Sequence, residues 1–191
     1  MEHNQVIVPL VAIVTSINSW TRHKLPGFLL NIMKKIEIHT TFKKLLADVY
    51  TPVGIYLRLR DRFRDTILLE STDFHAGENS YSFIGINAIA GIEISNPAVL
   101  EFKLPGKPAE RQPINNPTDV PGHLWEFMQR FQIKEAAIKP VNVAQGLFGY
   151  TTYDAVQFFD SIKLESKQQA TGNAIPLMRY RLYQYVIAIN H

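Results

Sequence analysis

Alternation of apolar and polar positions marks the first readable element. Val53, Ile55, Leu57 and Leu59 alternate with Gly54, Tyr56, Arg58 and Arg60, the period-two pattern of a half-buried strand. Residues 61–65 read as a charged turn and residues 66–71 as the next strand, so the two predict an antiparallel hairpin. Upstream, Thr40 or Thr41 can cap a short helix over residues 42–49, with Phe42, Leu45 and Leu46 on one face and Pro52 ending it. Downstream, residues 73–79 form a polar loop around Gly77. Strands are then predicted over 81–86, 89–94 and 98–104.

The second half is sparser. Pro105, Pro108, Pro113, Pro117 and Pro121 break any periodicity over 105–121, which reads as a loop or linker. Asp119 can cap a helix running to Phe131, with Pro121 tolerated in its first turn and an apolar stripe of Leu124, Phe127, Met128 and Phe131. A short strand over 146–150, a helix over 153–159 and a long strand over 177–190 complete the reading. So many short strands with turn signals predict an antiparallel sheet in an α+β fold. The last strand is aromatic and β-branched, a composition that pairs on both sides, and nothing after it makes a hairpin. The expectation is a fragment of a longer protein. The alternative is an edge strand paired with an earlier strand or with another chain.

Composition narrows the function classes. The 191 residues are 46% hydrophobic, enough for one sizeable core or part of a larger one. Lys and Arg total 20 against 17 Asp and Glu, a net charge of +3. These charges are dispersed, which argues against a nucleic-acid face. With no cysteine, disulfides, thiolate chemistry and cysteine metal sites are excluded, in keeping with a cytoplasmic protein. The six histidines lie too far apart for a zinc site. No glycine-rich phosphate loop, nucleophile elbow or metal-ligand spacing occurs, and no catalytic residue or metal ligand is assigned.

The candidate chemistry lies at Leu68-Leu69-Glu70-Ser71, a few residues before Ser82-Phe83-Ile84-Gly85. Glu70 and Ser71 follow an apolar pair at a strand end. Glu70 can pair a ligand ammonium, and the Ser71 hydroxyl can donate to or accept from a polar end. The same two residues also suit the start of an ordinary turn. Arg58, Arg60, Arg62 and Arg64 share one face if the strand continues, but Asp61 and Asp65 make this the mixed charge of a solvated hairpin end.

Val53-Gly54-Ile55-Tyr56-Leu57-Arg58-Leu59, then Ile67-Leu68-Leu69-Glu70-Ser71, then Ser82-Phe83-Ile84-Gly85 resembles the start of anthranilate synthase component I, a chorismate-utilising enzyme. Gly146-Leu147-Phe148-Gly149-Tyr150-Thr151-Thr152-Tyr153-Asp154 is similar to that family's second N-terminal signature. The resemblance runs from Met33 onward. It implies an α+β fold of antiparallel, orthogonally packed sheets flanked by helices, present here in part.

The resemblance also implies that Leu69, Glu70 and Ser71 belong to an allosteric site for L-tryptophan, with Tyr150 and Tyr153 as possible pocket walls. It places the chorismate- and magnesium-binding residues in a C-terminal domain beyond this chain, and ammonia supply in a glutamine amidotransferase subunit, component II. The piece itself is then regulatory and carries no cofactor. Met33-Lys34-Lys35 looks like the family's start, so residues 1–32 are expected to be an upstream extension, weakly ordered or poorly packed. Their apolar run around Pro9 is too short to span a bilayer and lacks the basic flank of a secretory signal. Two alternatives stay open: a stand-alone amino-acid-binding module, and the related aminodeoxychorismate synthase component I of folate biosynthesis.

Overall fold

A computed structural model describes residues 9–17, 35–46, 49–70, 80–133, 139–160, 162 and 175–190. Their elements are β1 (Pro9–Ile17), β2 (Ile36–Leu46), α1 (Pro52–Leu59), β3 (Ile67–Leu69), β4 (Tyr81–Asn96), β5 (Val99–Lys103), β6 (Ala109–Pro113), α2 (Val120–Gln129), β7 (Phe131–Ile133), α3 (Lys139–Ala144), β8 (Phe148–Thr151) and β9 (Met178–Asn190), with 3-10 turns at Pro117–Asp119 and Tyr153–Phe158. The class is mixed α+β, mostly antiparallel strands with few helices. Among the described residues, no helix is long and apolar enough to cross a membrane.

The spine is the antiparallel pair β4–β9, in register from Tyr81 opposite Asn190 to Ile94 opposite Met178. β5 and β6 extend it as a meander from the second half of β4. On the far side of β9, β8 covers the first half and β1 the second. β2 follows β1, and β7 adds in parallel to the start of β2. β3 pairs with the first half of β4. Instead of two independent sheets, all these strands form one connected network.

That network has a break in its middle. Ala88 opposes Tyr183 and Ala90 opposes Leu182, so Ile89 is an extra residue. Such a bulge bends the strand and raises its twist. Asn87 beside it takes φ 60, a left-handed conformation that asparagine tolerates, and its side-chain Nδ2 donates to the side-chain Oε1 of Gln184. Either side of the bulge lies a different half-sheet, one flanked by β3 and β1, the other by β5 and β8.

Several sequence expectations change. Of the helix expected over 42–49, residues 42–46 are the second half of β2, because β1 pairs with them throughout, and pairing overrides the helical spacing of Phe42, Leu45 and Leu46; residues 47 and 48 lie outside the described residues. The strand expected over 53–60 is α1. Thr51 caps it by accepting from the Gly54 N–H at 3.0 Å, and Pro52 opens its first turn, the Thr-Pro start signal of a helix. The hairpin expected at 53–71 therefore does not form, and β3 pairs with β4 instead. The 105–121 loop contains β6 and a 3-10 turn capped by Asn116. The helix expected at 153–159 is a 3-10 turn.

The long last strand is central, not bare: both its edges are covered by strands that precede it in sequence. The argument from an unpaired edge falls away. β1 lies within the stretch expected to be an upstream extension, and it fills the gap between β2 and β9.

Among the described residues, the apolar side chains gather in three clusters. The largest joins Ile92, Ile94, Leu100, Phe102, Met178 and Leu182 to Phe127 of α2 and Phe158. A second joins Ile84, Ile86 and Ile189 to Ile55, Tyr56 and Leu59 of α1. The third contains the candidate site.

Candidate functional site

β3 delivers the candidate motif. Leu69 lies opposite Phe83 and Leu68 opposite Ile84. Alternation then separates the two leucines. Leu68 packs with Ile84, Ile86 and α1, whereas Ile67 and Leu69 pack with Phe83, Phe148, Tyr183, Val186 and Ala188. The two leucines of the motif are thus split between two faces, and Leu69 stays with the aromatic side. Glu70 lies one residue past the strand end and is exposed. Ser71 and the loop expected at 73–79 lie outside the described residues.

Behind Leu69 stands a row of rings. Tyr81 and Phe83 have centroids 6.1 Å apart, Phe83 and Phe148 5.5 Å, and Phe148 and Tyr183 6.3 Å. Val141 and Ala144 of α3 close the cluster. Tyr183 lies across Gly85, where an added Cβ would come within 2.7 Å of its ring. This close approach needs a glycine. Burial, aided by the negative charge of Asp65, pushes the Tyr183 phenol up to about 12.

The second signature contributes Phe148 to this cluster, a residue not singled out from sequence. Tyr150 is half-buried and pairs in register with Arg179. Tyr153 opens a 3-10 turn and is 83% exposed. Asp154 lies in the first turn of that element, as expected for a carboxylate.

Sequence reasoning missed a charged row on the other half-sheet. Arg111, Glu101, Glu93, Arg179 and Tyr150 stand opposite one another across β6, β5, β4, β9 and β8. Two glutamates face each other, an arrangement that repels unless each is neutralised. Arg111 Nε reaches Glu101 at 2.7 Å. Arg179 Nε reaches Glu93 at 2.9 Å and Arg181 Nη2 at 2.5 Å, and the Ser95 hydroxyl donates to Glu93 at 2.9 Å.

Burial alone would raise the Glu93 pKa. The hydrogen bonds from Arg179, Ser95 and Arg181, with the charge of Arg179, outweigh it and hold the carboxyl below the usual carboxylate range. Glu93 in turn raises Arg179, against the effect of burial. Arg181 lies over Gly91, and an added Cβ there would collide with it. The only sequence signal was the i, i+2 spacing of Arg179 and Arg181, which puts both on one face of a strand. Asp65, Gly91, Glu93, Glu101, Lys103 and Arg181 border a cavity of about 90 Å³.

The four arginines at 58–64 do not share a strand face, because the chain leaves α1 there. Arg58 covers the Tyr50 ring at 5.6 Å, and Arg60 lies 3.5 Å from Asp61. Arg60, Arg62 and Arg64 border an open cleft with Tyr56 and Phe63. Among the described residues, no three His, Asp or Glu side chains converge to hold a metal.

The geometry therefore defines an α+β unit whose candidate site is an aromatic-backed strand end with an exposed carboxylate. Comparison with known proteins adds a distant similarity, to the N-terminal part of anthranilate synthase component 1. The chain is 22% identical over 152 residues to the component 1 of Lactococcus lactis subsp. lactis (strain IL1403), covering 78% of this chain and 29% of that protein. It is 26% identical over 162 residues to that of Methanothermobacter thermautotrophicus, covering 85% of this chain and 31% of that protein. The chain spans about three-tenths of the length of these curated relatives. No family model matches it.

Proposed function

We propose that this chain is the tryptophan-sensing N-terminal part of an anthranilate synthase component I. The observation that carries the reading is the similarity to component 1 over about four-fifths of the chain. The placement of the motif supports it. Tryptophan offers an ammonium, a carboxylate and a large apolar ring, and a site for it needs a charge partner, a small polar group and apolar walls. Glu70 takes the ammonium, Ser71 the polar end, and Leu69 with the rings behind it the indole. Tyr150 stands on β8, beyond β4 and β9 from the motif, on the charged row of the other half-sheet.

In this reading chorismate conversion to anthranilate and pyruvate belongs to a C-terminal chorismate-binding domain of a longer protein. That domain holds the magnesium, and an amidotransferase subunit delivers ammonia from glutamine. This chain binds the effector and helps present the surface that meets that subunit. The bulge at Ile89 lets one β4–β9 ribbon serve both of the orthogonally packed sheets expected of the family.

Titration calorimetry with L-tryptophan on this chain, beside a longer form carrying the chorismate domain, tests the reading. Saturable binding with one site per chain is expected, and the chain alone should not turn over chorismate with glutamine or ammonia. Absence of tryptophan binding to both forms, or chorismate turnover by this chain alone, overturns it.

A further inference from the structure

We propose that the cavity beside the Glu93 row binds a small zwitterion, an α-amino acid of the size of glycine or alanine, independently of the tryptophan reading. The floor of this cavity follows from strand register. Ala109, Lys103, Gly91 and Arg181 stand opposite one another across β6, β5, β4 and β9. They lie two residues along each strand from Arg111, Glu101, Glu93 and Arg179, so they share the face of that row. Ala88 and Ala90, either side of the bulge, border the same space. Small side chains at these positions leave it open.

The charges around the floor differ in how they are used. Glu93 accepts from Arg179, Arg181 and Ser95, and Glu101 from Arg111. Arg181 also donates to the backbone carbonyls of Ile92 and Tyr180, each at 3.4 Å. Lys103 and Asp65 are left over. Both border the cavity, and neither side chain makes a hydrogen bond or ion pair among the described residues. Lys103 comes from β5. Asp65 comes from the turn before β3, and its charge acts on Arg179 and Tyr183 of β9.

Two opposite charges that share a cavity without touching suit a bridge that carries the complementary charge at each end. An α-amino acid does so, with its ammonium toward Asp65 and its carboxylate toward Lys103. Arg179 and Arg181 together exceed the single charge of Glu93, and this surplus favours the carboxylate. Size sets the rest. The volume of about 90 Å³ equals roughly three water molecules at about 30 Å³ each. Glycine or alanine suits that space, and an indole does not.

The test is amide NMR on the isotope-labelled chain at neutral pH and constant ionic strength, titrated separately with glycine, L-alanine, L-tryptophan, acetate and methylammonium. Glycine and alanine should shift the amides of Gly91, Lys103 and Arg181 saturably, with Kd about 1–10 mM, since part-exposed charges bind weakly. Acetate and methylammonium, which carry one end each, should bind at least about 3-fold more weakly. Lys103→Gln and Asp65→Asn should each weaken glycine by about 3- to 5-fold. Both side chains are exposed, and asparagine tolerates the left-handed backbone at position 65, φ 53, so the fold should survive. Glu110→Gln, which alternation puts on the other face of β6, should leave glycine within about 2-fold of wild type and so separates the site from general loss of charge. Shifts that do not saturate mean that the cavity holds only water, and overturn the proposal. Unchanged affinity in both charge variants, acetate or methylammonium binding as tightly as glycine, or tryptophan moving these amides at glycine's affinity overturns it equally.

Discussion

The two halves of the sheet share the same pair of long strands yet are held by different physics. Beyond the bulge, the outer face of β4 and β9 is a row of alternating partners in which Arg111 answers Glu101, and Arg179 and Arg181 answer Glu93. Before the bulge, the corresponding stretch carries Leu69, Phe83 and Tyr183, and Phe148 reaches them from β8. In the charged half each glutamate already has an arginine, so the row is a finished structural seam. In the aromatic half the rings grade from the buried Phe148 and Tyr183 to the half-buried Phe83 and Tyr81. The charged row is satisfied within itself, whereas the aromatic half leaves part of its ring surface uncovered.

The comparison can be broken most severely by removing residues 1–17. β1 separates β2 from β9, so its loss uncovers one edge of each. The melting midpoint should fall by at least about 10 °C, equivalent to roughly 5 kcal/mol or more at this chain length. A midpoint within about 2 °C of wild type would show that β1 adds little to the sheet.

Next in size is Phe148→Ala. Phe148 is buried between Phe83 and Tyr183, and truncating a buried phenylalanine costs about 3–5 kcal/mol. Thermal melting should register this, with loss of the near-ultraviolet signal of the aromatic half. A cost below about 1 kcal/mol would mean that the ring row is not packed as a unit.

Glu93→Gln should cost less, on the order of 1–2 kcal/mol, because Arg179 is 40% exposed and water can still serve it. Its acid profile sharpens the contrast. A carboxyl held low in the folded state contributes stability that is present above its unfolded pKa and lost as pH falls through the folded value. Wild type should therefore lose stability on acidification below the usual carboxylate range. The Gln variant should lose less over that window, and parallel curves would remove Glu93 from the seam. The aromatic half responds at the opposite end of the scale. Tyr183 is raised to about 12, so its contribution is complete below the unfolded value near 10 and is lost as pH rises from there through 12.

The smallest effect belongs to Tyr153→Ser. With Tyr153 83% exposed, the melting midpoint should move by less than about 2 °C, since surface changes of this kind stay within about 0.5 kcal/mol. Tryptophan affinity should be unchanged. A several-fold loss would restore Tyr153 to the pocket wall.

The long strands were legible because β-branched and aromatic residues run through β9, and turn residues bracket β5. Leu69 and Glu70 were legible as a strand end. The stretch from 42 to 60 was not, and the reasons are physical. Over eight residues, spacings of two and of three to four overlap: Ile55, Tyr56 and Leu59 suit a helix face, while Val53, Ile55, Leu57 and Leu59 suit a strand. The local Thr51-Pro52 signal decided one case, and a partner strand far upstream decided the other. The Glu93 row was out of reach for a related reason. Its members come from five strands, and only the register of pairing makes them neighbours.

The position of β9 has a consequence for how the chain reaches this structure. Tyr81 waits for Asn190 and Leu10 for Ile189, pairings more than a hundred residues apart in sequence. Contacts of this kind form slowly, because loop closure must precede any gain from pairing. Until the ribbon that fills the centre arrives, β4 and β1 each present an open edge of apolar strand, a surface on which other unfinished chains can assemble. The protein is thus most vulnerable as it folds, and refolding yield should depend on protein concentration more steeply than the stability of the finished sheet suggests.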